Sequence, residues 1–181
     1  MLKWLIRRRL AAFERDYDYD ASYGRDILDA DLRAALAFNK FTAMAEYRRD
    51  IPADALTAAA LVATMAEDCG PCTQLVVTKA ERSGVPSAVI GAVIAGDERQ
   101  MTEGARLAFR FARATLAHDP EADAHREEIE RRWGKRALVS LAFAIAAGRV
   151  YPTVKYALGH GRSCRRLTVG GVAMPVLKEA A

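Results

Sequence analysis

The sequence ALTAAALVATMAEDCGPCTQLVVTKAERSG, residues 55–84, contains the clearest signals of secondary structure in the chain. Its first twelve residues are apolar apart from two threonines. Spanning a bilayer takes about 20 such residues, so we expect 55–66 to form a buried core helix. Cys-Gly-Pro-Cys then opens the second half. Because proline lacks a backbone N–H, Pro71 fits the first turn of a helix, and we predict a new helix that begins at Cys69 and ends at Gly84.

Helical periodicity continues in both directions from this stretch. Apolar residues recur at helical spacing before and after it, and a second apolar window at 137–148 also indicates a core helix. Gly96 and Gly134 mark helix ends, and Pro152 predicts a kink or a break. Long alternating strand patterns are missing, and LVVT at 75–78 stays in the helical frame behind Pro71. We therefore predict an all-α protein, with an irregular segment or a short strand after Gly159.

The organisation that we predict has three parts. Residues 1–40 form an N-terminal helical arm, residues 41–160 form a helical core that carries the cysteine pair, and residues 161–181 form a C-terminal tail. The 181 residues are enough to bury a core of that size. Among them, Val89, Ile90, Val93 and Ile94 suggest more apolar surface than one small bundle needs, and this favours a homo-oligomer.

Composition and charge exclude several function classes. The chain is 51% hydrophobic and 28% charged, and its formal charge of +4 is too small to require nucleic acid. Residues 1–16 lack the long apolar segment and the cleavage site of a signal peptide. We expect a cytoplasmic protein with no membrane span and no nucleic-acid partner. Three cysteines do not indicate a secreted disulfide framework, so a close pair favours redox or metal chemistry.

The pair Cys69 and Cys72 suits redox chemistry. Free backbone N–H groups and the helix dipole at a helix start favour thiolate over thiol, and the spacing allows a disulfide within one turn. An apolar helix precedes the pair in place of a strand, which argues against a thioredoxin fold. Two alternatives stay open. In the first alternative the cysteines are structural. In the second they join His160 and Cys164 in a zinc site, which is disfavoured because about 90 residues separate the two pairs of ligands. We expect no metal or other cofactor.

Four segments carry a resemblance to a known family: ALTAAALVATMAEDCGPC, KAERSGVPSAVIGAVIAGD, RLAFRFARATL and LVSLAFAIAAGRVYPTVKYALG. Over roughly residues 40–160 the chain resembles the AhpD-like alkylhydroperoxidase and carboxymuconolactone decarboxylase family. The resemblance implies an all-helical fold and an oligomer, commonly a trimer or larger. It also implies a thiol oxidoreductase that reduces hydroperoxides and is recycled by a dithiol or lipoyl-type reductant.

The resemblance also implies roles for single residues. Cys72 matches the peroxidatic cysteine and Cys69 the resolving one. Val76 stands where the peroxidase branch has a histidine, and Thr57 where it has a glutamate, so we expect weak turnover. Glu67 is the candidate replacement for the base.

Two other functions remain as alternatives to the thiol oxidoreductase. One is a non-enzymatic helical oligomer with structural cysteines. The other is a decarboxylase-like enzyme for a small lactone, and the dithiol argues against it.

Overall fold

The computed structural model describes residues 1–161 and 167–174. Within these ranges the chain forms eight helices and one hairpin. The helices are α1 (Leu2–Tyr17), α2 (Ser22–Ala30), α3 (Leu32–Ala45), α4 (Ala53–Ala66), α5 (Gly70–Arg82), α6 (Ser87–Ala95), α7 (Glu103–Ala117) and α8 (Glu121–Ala157), and the strands are β1 (Leu167–Val169) and β2 (Val172–Met174). The predicted all-α fold class is confirmed in its coarse form, since the protein is mainly helical with little sheet.

Helix α4 lies at the centre of the core. It packs against α5, α6, α7 and α8, and more than half of its residues are buried. A helix that is covered on several sides has to be apolar all round, which explains why its sequence shows almost no polar face. The prediction of a buried core helix at 55–66 is confirmed.

Gly148 on α8 marks the closest approach of α8 to α4. A Cβ atom at this position would lie 2.5 Å from the Cβ of Ala63 and 3.2 Å from the backbone nitrogen of Thr64. A side chain therefore does not fit here unless one of the two helices moves. Gly91 on α6 offers a comparison, because among the described residues a Cβ there meets only the Met174 side chain, at 3.8 Å.

We expect Gly148→Ala to lower the free energy of unfolding by about 1–3 kcal/mol through overpacking. The matched control Gly91→Ala should be neutral or stabilising by up to about 1 kcal/mol, because alanine is the better helix former. Urea denaturation of both variants measures the difference. Equal stability of the two variants would contradict the proposed close contact.

Local sequence signals account for several helix boundaries. Asp31 caps α3 by accepting a hydrogen bond from the Arg33 backbone N–H at 2.8 Å. Gly96 ends α6 with a φ of 69°, and Gly134 interrupts α8 with a φ of 80°. These two glycine predictions are confirmed. Pro152 does not break α8, which continues as a helix to Ala157.

The N-terminal helices form a second, smaller apolar cluster. Its buried members are Tyr19, Ala21 and Tyr23, and partly buried residues of α5 and α8 pack against it. Helix α2 packs on α1 and α3, and α3 packs on α8. The predicted boundary at residue 40 falls inside α3, and the division into an arm, a core and a tail remains a prediction.

The C-terminal hairpin is fastened to helix α5. Strands β1 and β2 pair antiparallel around Gly170 and Gly171, whose φ angles of 57° and 79° suit a tight turn. The Gln74 side chain accepts a hydrogen bond from the Thr168 N–H at 2.8 Å and donates one to the Thr168 carbonyl at 3.0 Å. The Gly170 N–H donates to Glu81 at 2.7 Å. The tail after Gly159 thus contains the predicted short strand, held against the helix that carries the cysteines.

The apolar residues of α6 are not surplus surface. Val89, Ile90, Val93 and Ile94 are all buried within a single chain, where α6 packs against α4, α7 and β1. The argument for an oligomer from these four residues is therefore wrong. The homo-oligomer itself remains a prediction that rests on the family resemblance.

One helix in the described part of the chain, α8, is long and apolar enough to cross a membrane by length and composition. This is weak evidence for a membrane location, because a core helix of a soluble protein passes the same test. Helix α8 packs against α4 and α7, and 39% of its apolar window is buried inside the chain. The cytoplasmic location remains a prediction.

Candidate functional site: a dithiol beside an apolar cavity

The two cysteines lie where the sequence predicted, at the start of α5. Cys69 is the N-cap residue, and Cys72 lies in the first turn behind Pro71. Their sulfur atoms are joined in a disulfide, with the Cα atoms 5.3 Å apart. Both residues are almost completely buried, with 3% of Cys69 and 4% of Cys72 exposed. The pair can therefore alternate between dithiol and disulfide without moving the backbone far.

The short turn between α4 and α5 positions the two cysteines. Asp68 adopts a left-handed conformation with a φ of 52°, which reverses the chain direction just before Cys69. The Tyr156 hydroxyl donates a hydrogen bond to the Asp68 carbonyl at 3.0 Å. The first backbone hydrogen bond of α5 runs from the Thr73 N–H to the Cys69 carbonyl at 2.9 Å. Helix α8 thus holds the turn in place through Tyr156.

A large cavity of about 620 Å³ lies between the N-terminal helices and the core. Helices α1, α2 and α3 form one side, and α4, α5 and α8 form the other. Its volume falls in the range of about 300–1,000 Å³ that is usual for small-molecule sites. Among the residues that the structure describes, the lining includes Cys72 but not Cys69. Cys72 is therefore the sulfur that a small molecule in the cavity meets.

The two positions that depart from the family pattern lie in the same cavity. Val76 follows Cys72 by one helical turn on the same face of α5, and Thr57 reaches the cavity from α4. Both therefore lie on the walls of the cavity that Cys72 also lines. Neither side chain can act as an acid or a base at neutral pH. At these two positions the cavity wall therefore consists of valine methyl groups and one threonine hydroxyl.

Tyr19 lies directly against the sulfur atom of Cys72. Its hydroxyl oxygen is 3.8 Å from Sγ of Cys72, within reach of a hydrogen bond to sulfur, and only 5% of the residue is exposed. Burial, and to a smaller extent the neighbouring Tyr23, raises the pKa of Tyr19 well above its usual value. The phenol therefore keeps its proton at neutral and mildly alkaline pH. It is a protonated hydroxyl within hydrogen-bond reach of Cys72, and it also shares a hydrogen bond with Tyr23.

Other groups hold Tyr19 in position. The ammonium group of the buried Lys155 lies 4.6 Å from the centroid of the Tyr19 ring and 5.6 Å from that of Tyr23. The Phe13 ring packs edge-on against Tyr19 at 5.7 Å between centroids. Cation–π and edge-to-face contacts of this kind fix the plane of the ring. The sequence did not identify Tyr19, which is 53 residues before Cys72.

Glu67, the candidate base, is engaged elsewhere. Its carboxylate accepts a hydrogen bond from Nε of Arg149 at 2.7 Å, and the two side chains form an ion pair. The described lining of the cavity does not include Glu67. A role for Glu67 as a base therefore remains a prediction, and the observed contact with Arg149 is a structural one.

Both ring nitrogens of His160 are also engaged in hydrogen bonds. One ring nitrogen pairs with the Ser22 hydroxyl at 2.9 Å and the other with Asp26 at 2.6 Å, so the ring ties the end of α8 to α2. Cys164, the other residue of the zinc alternative, lies outside the described residues. Within the described ranges, no group of three or more potential metal ligands comes together.

Comparison with known proteins adds no relative: no protein-family model, no curated protein and no solved structure matches the chain significantly. The resemblance to the AhpD-like family thus rests on the quoted segments alone.

Proposed function

We propose that the protein is a thiol-dependent oxidoreductase of the AhpD-like kind that reduces organic hydroperoxides with Cys69 and Cys72. The observation that carries the proposal is the position of Cys72. This cysteine belongs to a bridging pair at a helix start and lines a cavity large enough for an organic molecule. Sulfur at such a helix end favours the thiolate, which is the form that attacks peroxides.

The reaction that we propose starts from the reduced pair. The Cys72 thiolate attacks the outer oxygen of the hydroperoxide, and the O–O bond breaks. The alkoxide that leaves takes a proton and becomes an alcohol, while Cys72 becomes a sulfenic acid. The Cys69 thiol then attacks the Cys72 sulfur, water leaves, and the disulfide forms. An external dithiol of the dihydrolipoyl type reduces the disulfide and is itself oxidised to a disulfide.

Tyr19 supports two of these steps. A hydrogen bond from its hydroxyl to the Cys72 thiolate stabilises the charged sulfur before the attack. The same donor stabilises negative charge on the leaving oxygen when the O–O bond breaks. Tyr19 thus supplies part of what a histidine and a glutamate would supply at Val76 and Thr57. It does not accept a proton, so turnover stays slow.

We expect Tyr19→Phe to slow the reaction of reduced protein with hydroperoxide about tenfold, the value of one hydrogen bond to a charged group. The pH midpoint for alkylation of Cys72 should rise by about one unit, because the thiolate loses a donor. Tyr151→Phe is the matched control, because Tyr151 lines the same cavity and its hydroxyl pairs with the Thr42 hydroxyl at 3.2 Å. Equal effects of both variants would show that packing, and not the hydroxyl, matters.

A stoichiometric assay tests the proposed function. Protein reduced with dihydrolipoamide and freed of excess reductant should consume one equivalent of cumene hydroperoxide per chain and then stop. With dihydrolipoamide present, consumption should continue. No consumption in either case would contradict the proposal.

The deep burial of both cysteines favours one alternative, a structural disulfide in a non-enzymatic helical protein. A structural disulfide should resist dihydrolipoamide until the protein unfolds, whereas a working one is reduced in the folded state. The rate of reduction at increasing urea concentration distinguishes the two.

A homo-oligomer, a trimer or larger, remains part of the proposal through the family resemblance.

A further inference from the structure

The cavity beside Cys72 runs from the surface to the sulfur. Its outer end includes Leu2 and Leu36, which are exposed, and its inner end includes the buried residues Thr64 and Cys72. Aromatic and aliphatic side chains make up most of the wall between these ends. Hydrogen peroxide needs no such volume and gains nothing from an apolar wall. The shape suits a long apolar molecule.

The charges on the wall are mostly positive. The charged residues among the described lining are Arg9, Arg48 and Lys79, with Glu46 as the counter-charge. Arg9, Arg48 and Glu46 are exposed, and Lys79 is half-buried. Lys79 lies with its ammonium group 5.9 Å from the centroid of the Phe13 ring. Burial lowers the pKa of Lys79, because the ammonium group loses solvation. An anion placed beside the ammonium group compensates for this loss.

Helix α5 sets a fixed distance between charge and sulfur. Cys72, Val76 and Lys79 are at positions i, i+4 and i+7, so they share one face, and all three line the cavity. With a rise of 1.5 Å per residue, the Cα atoms of Cys72 and Lys79 are about 10 Å apart along the axis. A short hydroperoxide cannot contact both residues. A chain with an acidic end and a hydroperoxide further along it can.

From these three observations we infer that the cavity binds a single-chain fatty acid, and that its hydroperoxide is the substrate. The carboxylate lies at the half-buried Lys79, the acyl chain follows the apolar wall past Val76, and the hydroperoxide group meets Cys72. This inference rests on the proposed function only for the last contact. Binding of the unoxidised fatty acid does not depend on the redox chemistry.

The test of binding uses the full chain in its oxidised form and oleic acid, which carries no peroxide. Calorimetry should detect saturable binding of one oleic acid per chain, and methyl oleate should bind at least about tenfold more weakly, since it lacks the charge. Lys79→Met should remove this preference for the acid. Arg82→Gln is the matched control. Arg82 is on the same helix and, like Lys79, lies near the Tyr17 ring, but it donates to the Asp16 carbonyl and is not among the lining residues.

A second arm uses the reduced protein and compares linoleic acid hydroperoxide with tert-butyl hydroperoxide. The fatty-acid hydroperoxide should react at least about tenfold faster, and Lys79→Met should reduce this ratio. Saturable oleic acid binding without any peroxide consumption would support the cavity inference and contradict the proposed function. Peroxide consumption with equal rates for both hydroperoxides and no oleic acid binding would overturn the inference and leave the function standing. Equal binding of oleic acid and methyl oleate to the unmodified protein would also overturn it.

Discussion

Replacement of Cys72 by serine is expected to reduce peroxide consumption to the background rate. Cys72 supplies the sulfur on the cavity wall. A serine hydroxyl at this position is not ionised at neutral pH, so the attacking anion is lost. Cys69→Ser should behave differently, because the attacking thiolate is still present. It should consume one equivalent of hydroperoxide rapidly and leave Cys72 as a sulfenic acid, which excess peroxide then oxidises further in a slower step.

The two variants remove the same disulfide, so each is the stability control for the other. Peroxide remaining in solution and the mass of dimedone-trapped Cys72 measure the two outcomes. Cys164→Ser serves as a third variant, and we expect little change, because this residue lies outside the segments that carry the resemblance. Equal loss in Cys72→Ser and Cys69→Ser, with no trapped sulfenic acid, would contradict the assignment of roles.

The second largest effect on the rate is expected when the histidine and the glutamate of the AhpD-like pattern are introduced at positions 76 and 57. Val76→His together with Thr57→Glu is expected to raise the rate of peroxide reduction by up to about 10²-fold, through proton transfer to the leaving oxygen. The structure supports the pairing, because both positions line the cavity that contains Cys72. A carboxylate at the buried Thr57 position loses solvation, and the partner histidine compensates for this loss.

The controls are chosen from the same helices. Thr57→Glu alone should give little gain in rate and should lower stability, because its charge has no partner. Thr78→His places a histidine on α5 at a half-buried position that is not among the cavity-lining residues. It should leave the rate unchanged. If Thr78→His accelerates the reaction as much as the double variant, general basicity rather than the relay explains the gain.

The sequence predicted features that depend on neighbouring residues. The helix start at Cys69 follows from the missing N–H of Pro71. The end of α6 at Gly96 and the interruption of α8 at Gly134 follow from backbone angles that glycine adopts easily. The hairpin was predicted only as a short strand, although Gly170 and Gly171 are a recognisable turn signal.

Contacts between distant parts of the chain were not predictable from periodicity. Periodicity shows that α6 is apolar, but not that α4, α7 and β1 already cover Ile90 and its neighbours. The contact of Tyr19 with Cys72 spans 53 residues, and the ion pair of Glu67 with Arg149 spans 82. Each depends on how helices pack, which one sequence does not reveal. The role assigned to Glu67 is the one most affected by such a contact.

A working dithiol at Cys69 and Cys72 has to respond reversibly to peroxide. Mass spectrometry of alkylated thiols measures this response on reduced protein before and after addition of an organic hydroperoxide. We expect both cysteines to be alkylated before the addition and protected as one intramolecular disulfide afterwards, and we expect dihydrolipoamide to reverse the change. Equal alkylation before and after peroxide, or stoichiometric zinc that co-purifies and protects both sulfurs, would contradict this expectation.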